Sequence, residues 1–232
     1  MTVKRSEIKA FKEYMEELYS KVRDEQSIDQ TFYDDTFDLG VDVARMKVLR
    51  SGLARKIIDT PAESIVTSNP QVFVISGNKK IDLAMSTVLN SWLTQMRRQN
   101  PNPFKESVKN PLLRGESYLY LCPAPYALEK KYDGIRMPVL FDVPDPASIY
   151  GSEEEDENGV PAKVLVMFKR HVSSIQSFYP DFAPSVAGDK LVDWLAYYEK
   201  GAVYYEADGT PLGGVNDDGE GVLENELKLV PF

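Results

Sequence analysis

The chain is poor in the residues that most catalytic and metal-binding sites use. Its 232 residues include one cysteine, Cys122, and one histidine, His171. One cysteine cannot close an internal disulfide, and the two residues together cannot supply the four ligands of a structural zinc site. Long apolar runs are also missing, since runs such as 71–76 are far shorter than the roughly 18 residues that span a bilayer. No signal-peptide pattern marks the N-terminus. We therefore expect an intracellular protein without a membrane span, a cofactor or a bound metal.

Composition and charge are those of a globular protein with an uneven charge distribution. Apolar residues make up 43%, aromatic residues 11% and charged residues 27% of the chain, which excludes a disordered tail or a collagen-like repeat. The net charge is −9 and is unevenly distributed. Residues 1–115 contain 18 basic and 15 acidic side chains, whereas residues 116–232 contain nine basic and 21 acidic side chains. Because phosphate binding needs positive charge, the acidic second half argues against non-specific nucleic-acid binding by the whole surface.

The first 40 residues predict a helix followed by an ordered loop. Over Arg5–Gln26, apolar residues recur at steps of three and four, the period of a helical face: Ile8, Phe11, Met15, Leu18 and Val22. This narrow face fits one neighbour, either in the same chain or in another subunit. Residues 27–40 are polar with interspersed Phe and Tyr and show no sustained period, which predicts an ordered loop.

Residues 41–114 are predicted to be mainly helical, with two helices that each end at a proline. One helix is expected over 41–59 and is expected to stop at Pro61. A short helical piece near 100–110 is expected to end at Pro111, because proline lacks the N–H that a helix interior needs.

The middle of that segment predicts a strand and then a long helix. The run QVFVIS (71–76) is rich in β-branched and aromatic residues and lies between turn-forming dipeptides, which predicts a strand. The helix is expected over 81–98. Its apolar face consists of Ile81, Met85, Val88, Trp92 and Met96.

From Gly115 onwards the sequence predicts antiparallel β structure. Short runs rich in Tyr, Val, Leu and Ile are separated by Asp-Gly or Asn-Gly dipeptides, which favour tight hairpin turns. The predicted strands are Ser117–Cys122, Met137–Asp142, Ser148–Gly151, Ala162–Lys169, Asp193–Glu199, Ala202–Glu206 and Glu226–Val230. No flexible linker separates the two halves. We therefore predict an α+β fold, in which helices of the first half pack on a mostly antiparallel β region in the second half.

Motifs that resemble ligand sites are better explained as turns. The acidic run SEEEDENG (152–159) lacks the alternating ligands of a calcium loop, and NDDGEG (216–221) lacks its bidentate glutamate. The glycine-rich GTPLGG (209–214) lacks the Gly-Lys-Ser/Thr end of a phosphate loop and is predicted to be a hairpin loop. Cys122 is expected to be a buried, inert thiol and His171 an exposed strand end. We assign no catalytic, cofactor-binding or metal-binding residue.

Several segments in a particular order carry a resemblance to a known family. They are RKIIDTPAESIVTSNPQVFV (Arg55–Val74), LAMSTVLNSWLTQMRRQN (Leu83–Asn100), RGESYLYLCP (Arg114–Pro123), VLFDVPDPASIYG to AKVLVMFKR (Val139–Arg170), WLAYYEKGAVYYEADG (Trp194–Gly209) and the final VPF (Val230–Phe232). In this order and spacing, residues 40–232 resemble the N-terminal half of the portal proteins of tailed bacteriophages, the ring-shaped head-to-tail connectors.

The resemblance implies a structural subunit and not an enzyme. Portal proteins form a dodecameric ring at one capsid vertex, through which double-stranded DNA is packaged by the terminase and later ejected. They also bind the major capsid or scaffold protein and the head-completion proteins. By this resemblance the chain belongs to the virion, and to the host cytoplasm during assembly, without membrane contact.

The resemblance also implies a domain organisation. Residues 1–40 correspond to an N-terminal helix and ordered loop, and residues 41–232 to a portal wing-like α+β region. That region is expected to be helical over 41–114 and β-rich over 115–232. The stem and clip regions of such proteins come later in the chain and are absent here. The apolar C-terminal segment ENELKLVPF agrees with the expectation that the chain is a fragment.

Two alternatives stay open at this stage. The first is a small intracellular hydrolase that uses Glu116 and Asp142 with His171, which requires the three groups to lie within about 10 Å in one pocket. The second is another phage capsid or scaffold protein of a different fold.

Overall fold

The computed structural model describes residues 3–38, 52–67, 71–124, 136–157, 159–185, 188, 190–213 and 221–232. The chain divides into two compact units. We call Met1–Arg23 with Ala147–Phe232 the acidic unit, because its sequence has 12 basic and 20 acidic side chains. Asp24–Pro146 is the central unit.

The fold is α+β, as predicted, with most helices in the first half and antiparallel strands in the second. The helices are α1 (Arg5–Tyr33), α2 (Leu53–Thr67), α3 (Lys79–Arg97), α4 (Pro103–Arg114) and α5 (Val172–Gln176). The strands are β1 (Tyr120–Pro123), β2 (Val139–Asp142), β3 (Ile149–Gly151), β4 (Lys163–His171), β5 (Leu191–Glu199), β6 (Ala202–Ala207), β7 (Thr210–Pro211) and β8 (Val222–Glu224).

The core of the acidic unit lies between the first turns of α1 and an antiparallel sheet. The sheet has the order β3-β4-β5-β6-β7, and β8 also pairs with β6. Leu165, Tyr197 and Tyr204 are directly opposed across β4, β5 and β6, so they form one row on one face of the sheet. This row packs with Ile8 and Met15 of α1, and all five side chains are almost fully buried. The predicted apolar period of the N-terminal helix therefore positions the helix on the sheet.

Side chains of α1 also close one edge of this sheet. The carbonyl oxygens of Ile149 and Gly151 on β3 accept hydrogen bonds from the Arg23 guanidinium and the Tyr19 hydroxyl. The Arg23 guanidinium lies 4.8 Å from the Tyr19 ring centroid and 4.9 Å from that of Tyr150. Because an uncovered sheet edge can pair with other strands, these contacts protect β3 from such pairing.

The Asp-Gly signal for a tight turn is confirmed between β6 and β7. Asp208 and Gly209 have φ angles of 50° and 74°, and Ala207 pairs with Thr210 on either side of them. Two successive positive φ angles are those of a type I′ turn, which Asp-Gly favours. Of the predicted hairpin loop over 209–214, Gly209 lies in this turn, whereas Thr210 and Pro211 form β7.

The central unit combines α2, α4 and the last turns of α1. Tyr33 is buried, and its hydroxyl donates to the Asp59 carboxylate at 2.9 Å. Two cations face its ring, Arg55 at 5.1 Å and Lys109 at 4.7 Å from the centroid. Burial and the hydrogen bond to Asp59 raise the pKa of Tyr33 to about 12, so the hydroxyl stays a donor at neutral pH.

Helix α1 is longer than predicted, and residues 27–33 are helical where a loop was expected. The apolar stripe ends early, since Leu18 and Val22 are 40% and 41% exposed. From Tyr19 onwards, the inward positions are polar or aromatic and are stabilised by hydrogen bonds. Buried Gln26, for example, donates to the Arg114 carbonyl and to Glu116. Hydrophobic periodicity cannot detect such a face.

Two prolines that were expected to end helices lie inside them instead. Pro61 is within α2 and Pro111 within α4. An interior proline costs a helix about 3 kcal/mol, which tertiary packing can offset. Here Ala62 next to Pro61 is fully buried, and Leu113 after Pro111 is nearly so. The predicted helix over 41–59 is described only from Leu53 onwards, since 39–51 lie outside the described residues.

Two predicted strands are wrong. Residues 226–230 form a turn, in which Asn225 donates to the Glu199 and Leu229 carbonyls and accepts from the Leu227 N–H. An asparagine side chain that binds nearby backbone competes with strand pairing, so the last strand is β8 at 222–224. The segment 71–76 is extended but pairs with no described strand.

The core packing of α1 can be tested with a matched pair of truncations. Met15→Ala leaves a cavity against the tyrosine row and should lower the free energy of unfolding by about 2–5 kcal/mol. Leu18→Ala, on an exposed face one turn further along α1, should lower it by about 0.5 kcal/mol or less. Urea unfolding followed by circular dichroism measures both, and equal losses would contradict the assignment of the buried face.

Candidate functional site

The two acidic residues of the hydrolase alternative accept hydrogen bonds from nearby groups of the central unit. Glu116 accepts hydrogen bonds from Gln26 at 2.8 Å and from the Tyr118 hydroxyl at 3.0 Å. The Asp142 carboxylate accepts from the N–H of Val143 at 2.8 Å. Both belong to the central unit, whereas His171 belongs to the acidic unit. His171 is the exposed last residue of β4, as predicted.

The other sequence motifs give no ligand site in the described residues. The acidic run 152–159 forms the exposed connection between β3 and β4, as predicted, with Asn158 outside the described residues. Most of NDDGEG, residues 216–220, also lies outside them. Cys122 is half-buried within β1, where a buried thiol was expected. Within the described residues, no group of three His, Cys, Asp or Glu side chains is placed to hold a metal.

No helix of the described part of the chain is both long enough and apolar enough to cross a bilayer.

The acidic unit contains a polar cluster at the edge of its tyrosine-rich core. The Tyr204 hydroxyl donates to the Glu206 carboxylate at 2.6 Å, and the Arg5 guanidinium donates to the same oxygen at 2.9 Å. Arg5 also donates to the Gly209 carbonyl at 2.7 Å. This cluster connects the first turn of α1 to β6 and to the turn that follows it.

Electrostatics favour the ionised form of Glu206. Burial alone would raise the pKa of its carboxyl, but the hydrogen bonds from Tyr204 and Arg5 and the Arg5 charge outweigh it and lower that pKa. Burial and the bond to Glu206 raise the pKa of Tyr204. Burial and the hydrogen bond to Glu199 raise the pKa of Tyr197 in the same way. Each buried phenol thus has a carboxylate acceptor two residues along its own strand.

The β4–β6 sheet also carries an aromatic group around Trp194. The Arg170 guanidinium lies 4.9 Å from the Trp194 ring and 5.4 Å from the ring of Phe178, and its Nε donates to Ser174. The Tyr205 ring centroid is 6.1 Å from that of Trp194. These aromatic side chains therefore pack against neighbours within the acidic unit.

The most unusual surface lies in the central unit, where the extended segment 71–76 lies along α3. Three polar side chains of α3 bind its backbone. Asn90 accepts from the Val72 N–H at 3.0 Å and donates to the Val72 carbonyl at 2.9 Å. Ser86 accepts from the Val74 N–H at 2.9 Å, and Asp82 from the Ser76 N–H at 2.7 Å.

This arrangement places a helix where a neighbouring strand would normally be. Asp82, Ser86 and Asn90 are spaced four residues apart, so they form one row along α3. The row meets every second residue of the extended segment, and the two elements border an open groove of about 650 Å³. Sequence reasoning missed this row. Its signal was present as a polar i, i+4, i+8 pattern on a helix next to an uncharged β-rich run.

Comparison of the sequence with models of protein families and with curated proteins finds no match.

The polar cluster predicts a specific dependence on pH. The pKa of Glu206 is lower in the folded state than in the unfolded state, so ionised Glu206 stabilises the fold. This contribution to the free energy of unfolding is fully present above the unfolded-state pKa near 4.5. It is lost as the pH falls through the folded-state pKa. Glu206→Gln should cost about 1–3 kcal/mol of unfolding free energy at pH 7 and should weaken the acid dependence. Urea unfolding between pH 7 and pH 3 measures this, with exposed Glu226→Gln as control. The same acid dependence in both variants would contradict it.

The α3 row predicts local protection of the extended segment. Asn90→Ala removes the acceptor of the Val72 N–H and should speed its hydrogen exchange by about five- to tenfold, the equivalent of about 1 kcal/mol. Thr87→Ala is the matched control, because the Thr87 hydroxyl bonds to the Leu83 carbonyl of its own helix. NMR measures the exchange rate of the Val72 N–H in both variants. An equal increase in the two would exclude the Asn90 hydrogen bonds as the cause of protection.

Proposed function

We propose that the chain is a wing-like part of a phage portal subunit, which acts in DNA packaging, ejection and head–tail joining. The observation that carries this proposal is the order of the segments. A helix runs into the extended run QVFV, a second helix follows, then the strand after Arg114, the β3–β4 hairpin and the β5–β6 hairpin. This order supports the proposal, because the resemblance rests on the same segments in the same order.

The charge distribution supports the same proposal. A channel that passes DNA must not hold it, and each Lys or Arg bound to a phosphate adds a salt-dependent attraction. The acidic unit has a net charge of −8, and the whole chain −9. This net negative charge disfavours binding of the DNA backbone, which suits a conduit better than a DNA-binding protein.

The proposal extends to partners and location. The subunit would assemble into a dodecameric ring at one capsid vertex and contact the terminase, the capsid or scaffold protein and the head-completion proteins. Double-stranded DNA would pass through the ring. Its structural role needs no catalytic residue.

The test is the assembly state and position of the gene product that contains this chain. Native mass spectrometry under assembly conditions should give a closed ring of about twelve subunits, as cyclic symmetry requires. Immunogold labelling of purified virions should mark one vertex per particle. A gene product that stays monomeric at every concentration, or label on many vertices, would refute the proposal.

A further inference from the structure

The extended segment 71–76 is an exposed apolar strand without the usual protection against pairing. Its Phe73 and Ile75 side chains are 75% and 91% exposed. Charged side chains and proline are devices by which natural proteins keep an exposed strand edge from pairing with another chain. Residues 71–76 contain neither. Exposed apolar residues that lie together in this way typically mark an interaction site.

The same segment has a free backbone edge. In an extended chain, alternate residues direct their N–H and C=O groups to opposite sides. The N–H groups of Val72, Val74 and Ser76 bind side chains of α3. Phe73 and Ile75 direct theirs away, and their backbone groups have no hydrogen bond within the part of the chain that the structure describes. Another extended backbone can satisfy such an edge by adding a strand.

This free edge is complementary to itself. When two copies of it run antiparallel with Val74 opposite Val74, Phe73 of each copy lies opposite Ile75 of the other. Both of these are hydrogen-bonded pairs of an antiparallel ladder, in which the two residues exchange N–H···O bonds. Every outward donor and acceptor of Phe73 and Ile75 therefore gains a partner. The facing side chains form an aromatic and β-branched pair, a combination that stabilises sheets.

The charges next to the segment do not oppose this pairing. Over residues 71–98 they all belong to α3 or its C-cap, and they sum to +3. Because α3 binds the inner edge of the segment, the two paired strands would lie between the two copies of α3. A helix diameter of about 10 Å and a strand spacing of about 4.8 Å place the helix axes about 20 Å apart. This separation is more than twice the Debye length of about 8 Å, so repulsion between the helices is largely screened.

We propose that residues 72–76 pair antiparallel with the same residues of a second copy of this chain, about a two-fold axis at Val74. Both surfaces of this contact are the same free edge, and every residue it uses is among those that the structure describes. The contact goes beyond the proposed function and does not rest on it. A two-fold contact differs from the head-to-tail contacts between neighbours in a ring, so it would pair two unassembled subunits or two rings.

The apolar part of the contact is tested by self-association of the 232-residue chain in analytical ultracentrifugation. The wild type should be in a monomer–dimer equilibrium. Ile75→Lys should raise its dissociation constant by about tenfold, because the two-fold axis applies the change at two places. Ile57→Lys is the matched control, since Ile57 is 63% exposed on α2 of the same unit, and it should leave association unchanged. Equal effects of the two substitutions, or a wild type that is monomeric at every concentration, would overturn the proposal.

The backbone edge is tested separately from the side chain. Ile75→Ala and Ile75→Pro both remove the isoleucine, but only proline also removes the outward N–H. The proline variant should associate more weakly than the alanine variant by about fivefold or more, since each copy loses a hydrogen bond to the other. Circular dichroism checks that both variants fold. Identical dissociation constants of two folded variants would exclude pairing through this edge.

The register is tested by cysteine cross-linking in a Cys122→Ser background, which removes the native thiol. Val74 lies opposite Val74 at a non-hydrogen-bonded position, where Cα atoms are about 4.5 Å apart, a distance that a disulfide spans. Val74→Cys should therefore give a disulfide-linked dimer on mild oxidation. Val72→Cys is the matched control on the same face of the strand, because its two copies would be about 13 Å apart and should not cross-link. Equal cross-linking of the two variants, or none in either, would overturn the proposed register.

The outcomes separate this pairing from the proposed function. If Ile75→Lys weakens the dimer and the parent gene product forms no closed ring of about twelve, the pairing stands and the portal proposal fails. If the ring forms but the dimer of the 232-residue chain does not respond to Ile75→Lys, the portal proposal stands and the pairing fails. Binding of DNA or of an unrelated protein to the 71–76 edge in place of a second copy would also overturn the pairing.

Discussion

The acidic unit depends on the burial of tyrosine in its core. Tyr197 and Tyr204 provide apolar ring surface for the first turns of α1, but each also brings a hydroxyl that must keep a hydrogen bond when buried. Glu199 and Glu206 supply the acceptors, and Arg5 at the start of α1 neutralises the second. The helix is therefore held to the sheet by packing and by charge at the same place.

In the central unit, an extended backbone also needs hydrogen-bond partners, and side chains of a helix provide them. The segment 71–76 has the composition of a strand, and its backbone needs partners on both edges. Asp82, Ser86 and Asn90 of α3 provide them on one edge, which a helix can do only with side chains. The other edge is left open, and the exposed Phe73 and Ile75 lie along it. The replacement of a neighbouring strand by a helix therefore leaves these two large apolar side chains in solvent.

The sequence predicted the parts of the fold that follow from repeating apolar patterns. The class of the fold, the start of α1, the span of α3 and the Asp208-Gly209 turn were all recognisable from period or turn chemistry. The errors occurred where polar contacts decided the structure, as at Gln26 in α1 and Asn225 after β8. Helices that continue through Pro61 and Pro111 depend on packing that a local pattern does not contain.

The sequence by itself determined composition, charge asymmetry, the α+β class and the scarcity of cysteine and histidine, because each follows from residue identity or from local periodicity. Only the tertiary structure decided which polar groups are satisfied. Asp82, Ser86 and Asn90 meet the backbone of 71–76 through contacts that span up to 18 residues, and Arg5 meets Glu206 across 201. Such pairs depend on the path of the chain in three dimensions, so no local pattern could specify them.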